Sequence, residues 1–138
     1  MTKIIFDAKV LQTMMLFEKI TCAKLRDCIA TDNHITFVVM PNQLGKAIGQ
    51  HAKNVSHLSS LLKKKIRIVE HHEDCISFIK NLLYPVQVKD IAFENDIITI
   101  VAPDTQSRGL LIGRNAERLR ANEAIVKRYF PIKEIRIK

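Results

Sequence analysis

Ile35-Thr36-Phe37-Val38-Val39-Met40-Pro41, with Gly45-Lys46-Ala47-Ile48-Gly49-Gln50-His51-Ala52 close behind it, decides the fold because the chain writes it twice. The second copy is Ile98-Thr99-Ile100-Val101-Ala102-Pro103, followed by Gly109-Leu110-Leu111-Ile112-Gly113-Arg114-Asn115-Ala116. Each copy is a β-branched run, a proline, a short polar link and then Gly-x-x-Ile-Gly-x-x-Ala. The offset is 63 residues at Ile35/Ile98 and 64 at Gly49/Gly113, so the second link carries one extra residue. A repeat this long, present twice, indicates two small domains of one kind and not a stacked solenoid. Residues 1–71 are expected to form the first and 72–138 the second.

Working outward, each copy reads α-β-β-α-α-β. In the first, Val10, Leu11, Met14, Met15, Phe17 and Ile20 recur at helical spacing behind Asp7, a fitting N-cap. Lys24 to Ala30 and Ile35 to Met40 read as strands around an Asp32-Asn33 turn, and Pro41 ends the second. A short helical turn over Leu44 to Ile48, a helix over Ala52 to Lys65 and a strand over Ile66 to Val69 complete it. The second copy has a helix over Cys75 to Leu83, broken by Pro85, then strands over Val86 to Phe93 and Ile97 to Ala102 around Asn95-Asp96. Helices over Ser107 to Ile112 and Ala116 to Tyr129 follow, and Ile132 to Ile137 closes as a strand. The fold class is therefore α+β.

Charge narrows the function. Twenty-two Lys and Arg against 14 Asp and Glu give a net charge of +8, which favours a polyanionic partner. Twelve cations face seven carboxylates before Pro85 and ten face seven after it, so the excess belongs to both units. No apolar run approaches the roughly 18 residues needed to span a bilayer, and the first residues do not read as a secretory signal. Three cysteines, Cys22, Cys28 and Cys75, show no paired spacing, which fits reduced thiols in the cytoplasm.

The chemistry concentrates in the two tight turns. A turn that ends one helix and starts the next leaves main-chain N–H groups unpaired at the new helix start, where the helix dipole also favours anions. Gly49 and Gly113 let a sugar-phosphate backbone approach the main chain, and Ile48 and Ile112 pack beneath the turn to line an apolar groove for bases. Lys46, Lys53, Arg108, Arg114 and Arg118 lie near enough in sequence to flank phosphates.

Phe17-Glu18-Lys19-Ile20-Thr21-Cys22-Ala23, Lys24-Leu25-Arg26-Asp27-Cys28-Ile29, Gly45 to Gly49, Phe78-Ile79-Lys80-Asn81-Leu82-Leu83, Gly109 to Ala116 and Tyr129-Phe130-Pro131-Ile132 carry a family resemblance. The chain resembles the tandem KH pair of the NusA transcription factors, most closely the short archaeal NusA-like form, over essentially its whole length. The resemblance implies two tandem type II KH domains, each a three-stranded mixed sheet covered by helices on one face. It also implies binding of single-stranded RNA during transcription, with elongation, pausing or termination affected through RNA polymerase. The extra polymerase-binding and barrel domains of bacterial relatives are not expected within 138 residues.

The family pattern is Gly-x-x-Gly, and here both copies end in alanine. The resemblance carries the phosphate-binding role to Gly49, Gln50 and His51 and to Gly113, Arg114 and Asn115, and less directly to Ala52 and Ala116. The fourth position is expected to belong already to the following helix, where alanine is favourable. Arg114 is expected to make the second turn the stronger RNA site.

Other chemistries find little support. His71-His72-Glu73-Asp74-Cys75 lacks the second ligand pair of a structural zinc site and reads as a polar connection, with Asp74 capping the next helix. Lys63-Lys64-Lys65 reads as a solvated helix end. Gly45-Lys46 lacks the preceding glycine and following Ser/Thr of a phosphate loop. No enzyme activity, cofactor, metal, small-molecule substrate or membrane is expected. Two alternatives stay open: a KH protein of ribosome assembly or RNA processing, and a protein-interaction scaffold with degenerate turns.

Overall fold

The computed structural model describes residues 7–31 and 33–138. They divide into two compact units, one ending at His72 and the other spanning Glu73–Lys138. The first runs α1 (Ala8–Thr21), β1 (Leu25–Ala30), β2 (His34–Val39), α2 (Leu44–Ile48), α3 (Lys53–Leu62) and β3 (Lys65–Glu70). The second runs α4 (Cys75–Leu83), β4 (Asp90–Glu94), β5 (Ile97–Val101), α5 (Thr105–Ile112), α6 (Glu117–Tyr129) and β6 (Glu134–Ile137). Each sheet has its sequence-first strand antiparallel to the central one and its last strand parallel to it, in the orders β1-β2-β3 and β4-β5-β6. The parallel pairing follows from the two helices between β2 and β3, and between β5 and β6, which carry the chain back to start again at the same end.

Three helices begin on aspartates that satisfy orphan N–H groups. Asp7 accepts from Val10 N at 2.8 Å, Asp74 from Ser77 N at 2.9 Å and Asp104 from Ser107 N at 2.6 Å. The last cap starts α5 two residues earlier than periodicity suggests. Behind the Asp74 cap, burial and then the Asp74 charge push the Cys75 thiol up to about 11. Of the other cysteines, Cys28 is buried, whereas Cys22 is exposed at the left-handed C-cap of α1.

In the first core, Phe17 of α1 stacks on Phe37 of β2, with centroids 4.2 Å apart, and Val39, Ala47 and Leu58 surround them. In the second, Phe78 of α4 meets the Tyr129 ring edge-on at 5.3 Å and Phe130 at 5.7 Å, which docks α4 on the end of α6. On β6 one main-chain N–H, that of Ile135, is satisfied by a side chain. Glu123 of α6 is buried, and its Oε2 accepts from Ile135 N at 2.8 Å and from Arg120 at 2.9 Å.

Some sequence expectations shift. The expected strand from Val86 begins only at Asp90, because Val86 N turns back to Leu83 O, although Lys89 N still bonds Val101 O. Of the three consecutive lysines, Lys63 is the left-handed cap of α3, Lys64 Nζ bonds Thr31 O at 2.9 Å, and Lys65 opens β3. The expected hairpin turn at Asp32 lies outside the described residues.

Candidate nucleic-acid interface

Both repeats of Gly-x-x-Ala fall where two helices meet, and their backbones are superimposable in dihedral terms. Gly49 N closes α2 on Gly45 O, and Gly113 N closes α5 on Gly109 O, at 3.0 and 2.9 Å. The glycines then turn to φ 77°, ψ 169° and φ 75°, ψ 179°. That region is essentially closed to any residue with a Cβ. Space closes it as well. A Cβ on Gly49 would lie 2.8 Å from Asn54 Nδ2, and one on Gly113 would lie 2.8 Å from Arg118 Cβ and 3.0 Å from Arg118 N.

Two residues later the chain is left-handed twice in succession: His51 (φ 55°) and Ala52 (φ 57°), Asn115 (φ 55°) and Ala116 (φ 59°). This corrects the expectation that the alanines belong to the following helix. They are its left-handed N-caps, and α3 and α6 start only at Lys53 and Glu117. The left-handed pair breaks the helical path between α2 and α3 and between α5 and α6. Alanine accepts that conformation at a cost of roughly 1–2 kcal/mol, whereas the first position tolerates only glycine.

The turns leave donors open. Ala52 N returns to Gly49 O at 3.2 Å and Ala116 N to Gly113 O at 3.4 Å, while Lys53 N and Glu117 N return to Gln50 O and Arg114 O. The main-chain amides of Gln50, His51, Arg114 and Asn115 have no protein acceptor among the described residues. No side chain caps α3 or α6, in contrast to the aspartates of α1, α4 and α5. The bare donors therefore lie in the turn that leads into each long helix, next to the positive end of its dipole.

The flanking residues are placed as follows. Gln50, His51, Ala52, Lys53, Arg114, Asn115 and Arg118 are exposed, apart from Ala116, which is half-buried like the glycines. Lys46 and Arg108 are exposed on α2 and α5. Ile48 and Ile112 are half-buried at the helix ends, and the residues that enter the cores are their neighbours Ala47 and Leu111. Sequence reasoning missed Asn54. Its Nδ2 donates to Lys46 O at 3.2 Å, which ties α3 to α2 across the first turn, while Arg118 holds the same place in the second. Nothing in an isolated Asn at that position signals the bond. Among the described residues, no three His, Cys, Asp or Glu side chains gather to hold a metal, and no helix is long and apolar enough to cross a membrane.

Two α-β-β-α-α-β units, each with a mixed three-stranded sheet and a glycine turn between its last two helices, define a tandem pair of type II KH domains. The crystal structure of APE1850 has the same fold, with a TM-score of 0.78, 22% identity, and coverage of 96% of this chain and 100% of that one. No family model matches the chain. The probable transcription termination protein NusA of Methanococcus vannielii is 33% identical over 125 residues, 88% of this chain and 72% of the relative. Those of Methanocaldococcus jannaschii and Thermoplasma acidophilum are 26% and 25% identical, covering 99% and 100% of this chain and 76% and 98% of theirs. The chain belongs to this archaeal family of NusA-like transcription termination proteins.

Proposed function

We propose that the protein binds single-stranded RNA through its two glycine turns and, by engaging nascent transcript and RNA polymerase in the cytoplasm, modulates transcription elongation and termination. It acts by binding and carries out no reaction. The observation that carries this reading is the doubled turn: two bare amides just ahead of each long helix, with cations close by in sequence and no side-chain cap. KH turns of this type clamp the sugar-phosphate backbone while bases lie against an apolar groove. With aromatics at 6% and no Trp, that groove is aliphatic, and stacking contributes little.

The reading is tested by gel-shift competition between single-stranded and duplex RNA of one sequence over a salt series. Preference for the single strand is expected, with log affinity falling by about 0.7 per phosphate neutralised for each unit of log salt. Equal affinity for duplex, or affinity indifferent to salt, refutes it. RNA crosslinked in cells and sequenced should be enriched in nascent transcripts. Enrichment of ribosomal RNA instead would transfer the protein to ribosome assembly.

A further inference from the structure

The two turns share one backbone but differ in charge at an equivalent point, the first helical residue after the left-handed alanine. Lys53 stands there at the start of α3 and Glu117 at the start of α6. Both side chains are exposed, and neither takes part in a salt bridge among the described residues. A helix start favours a carboxylate and disfavours an ammonium. α3 therefore opens with a cation against its own dipole, with no acidic residue in its first turn and no side-chain cap. α6 opens with the carboxylate that its dipole favours. Over residues 44–54 and 108–118 the formal charge is +2 in both copies, from two lysines in the first and from three arginines against Glu117 in the second. Total charge does not separate the turns, and Lys53/Glu117 is the one equivalent pair at which the two carry charges of opposite sign.

We infer that the residue following the left-handed alanine tunes each turn between RNA affinity and helix stability. Lys53 strengthens the first turn's hold on phosphate at the expense of α3. Glu117 attenuates the second turn while stabilising α6, so that Arg108, Arg114 and Arg118 act there against a built-in counter-charge. The inference rests on the RNA-binding reading above and adds an order to it: exchanging the two charges moves affinity and stability in opposite directions.

The test is a pair of exchanges, Glu117→Lys and Lys53→Glu, in the full chain, with a single-stranded RNA as probe and thermal unfolding measured in parallel. Glu117→Lys is expected to tighten binding roughly three- to tenfold, steepen the salt dependence by about 0.7, and lower the Tm. Lys53→Glu is expected to weaken binding to a similar extent, flatten the salt dependence, and raise the Tm. A purely structural effect would move affinity and Tm together, and that result overturns the inference. So does a wild-type protein that binds RNA while neither exchange alters its affinity. A wild-type protein that binds no single-stranded RNA overturns the RNA-binding reading and this inference with it.

Discussion

Replacing Gly113 by Ala and Ala116 by Gly, three residues apart in the same turn, should move stability in opposite directions. At φ 75°, ψ 179° the backbone of Gly113 excludes side chains, and an added Cβ would meet the main-chain N of Arg118 at 3.0 Å. That nitrogen belongs to the first turn of α6 and cannot move without carrying the helix. Backbone strain of roughly 1–3 kcal/mol together with this overlap puts the cost of Gly113→Ala at about 2–4 kcal/mol. At Ala116, φ 59° and ψ 21° are the left-handed region that glycine occupies freely. Relief of roughly 1–2 kcal/mol, less about 0.4–1 for the extra freedom of glycine in the unfolded chain, leaves a net gain of about 0.5–1 kcal/mol. For a unit of this size the gain is a rise in Tm of a few degrees, and the loss is of order ten degrees. Urea denaturation followed by far-ultraviolet circular dichroism measures both. Gly113→Ala within about 0.5 kcal/mol of wild type, or a destabilising Ala116→Gly, would refute the assignment of the two conformations.

Three further outcomes follow from named contacts. Glu123→Ala removes the buried acceptor of Ile135 N and should cost about 1–3 kcal/mol in urea denaturation; a neutral result would mean that the β6 edge is held some other way. The Ser107 main-chain N–H, and then its hydroxyl, hold the Asp104 carboxyl below its ordinary 3.8, so its contribution is fully present above about pH 4 and is lost as pH falls through the lowered folded value. Asp104→Asn should therefore flatten the acid limb of the urea midpoint between pH 5 and 2 (approximate bounds set by the carboxylate range), and an unchanged limb would show that this cap is not titrating. Arg114→Asp with Asn115→Asp changes the formal charge of the second turn by three, whereas Gln50→Asp with His51→Asp changes that of the first by two with His counted as zero, so the former pair should weaken RNA binding more. The reverse ranking in a gel shift would make the first turn the dominant site.

Much of the architecture was legible because local chemistry and tertiary structure agree. Asp7 and Asp74 cap the helices they precede, and a carboxylate before an apolar helical pattern is a purely local signal. The run Ile35 to Val39, apolar except for Thr36, marks a central strand, and all of Ile35, Phe37, Val38 and Val39 are buried. Where local cues compete, the reading slipped. Val86 and Val88 look like strand residues, yet the chain there is still turning out of α4, and pairing starts only where β5 supplies partners.

The sequence by itself determined that there are two copies of one unit, their order of helices and strands, and the Gly-x-x-Ala turn that contributes to their likeness to the NusA-like family. These properties reside in repetition, periodicity and residue type, which survive without coordinates. Tertiary structure alone decided the conformation of the alanines, because alanine is compatible with both a helix and a left-handed cap, and only the path from α2 to α3 and from α5 to α6 selects between them. It also decided the roles of Asn54 and Glu123, whose partners Lys46 O and Ile135 N are brought to them by folding and by nothing in the neighbouring residues.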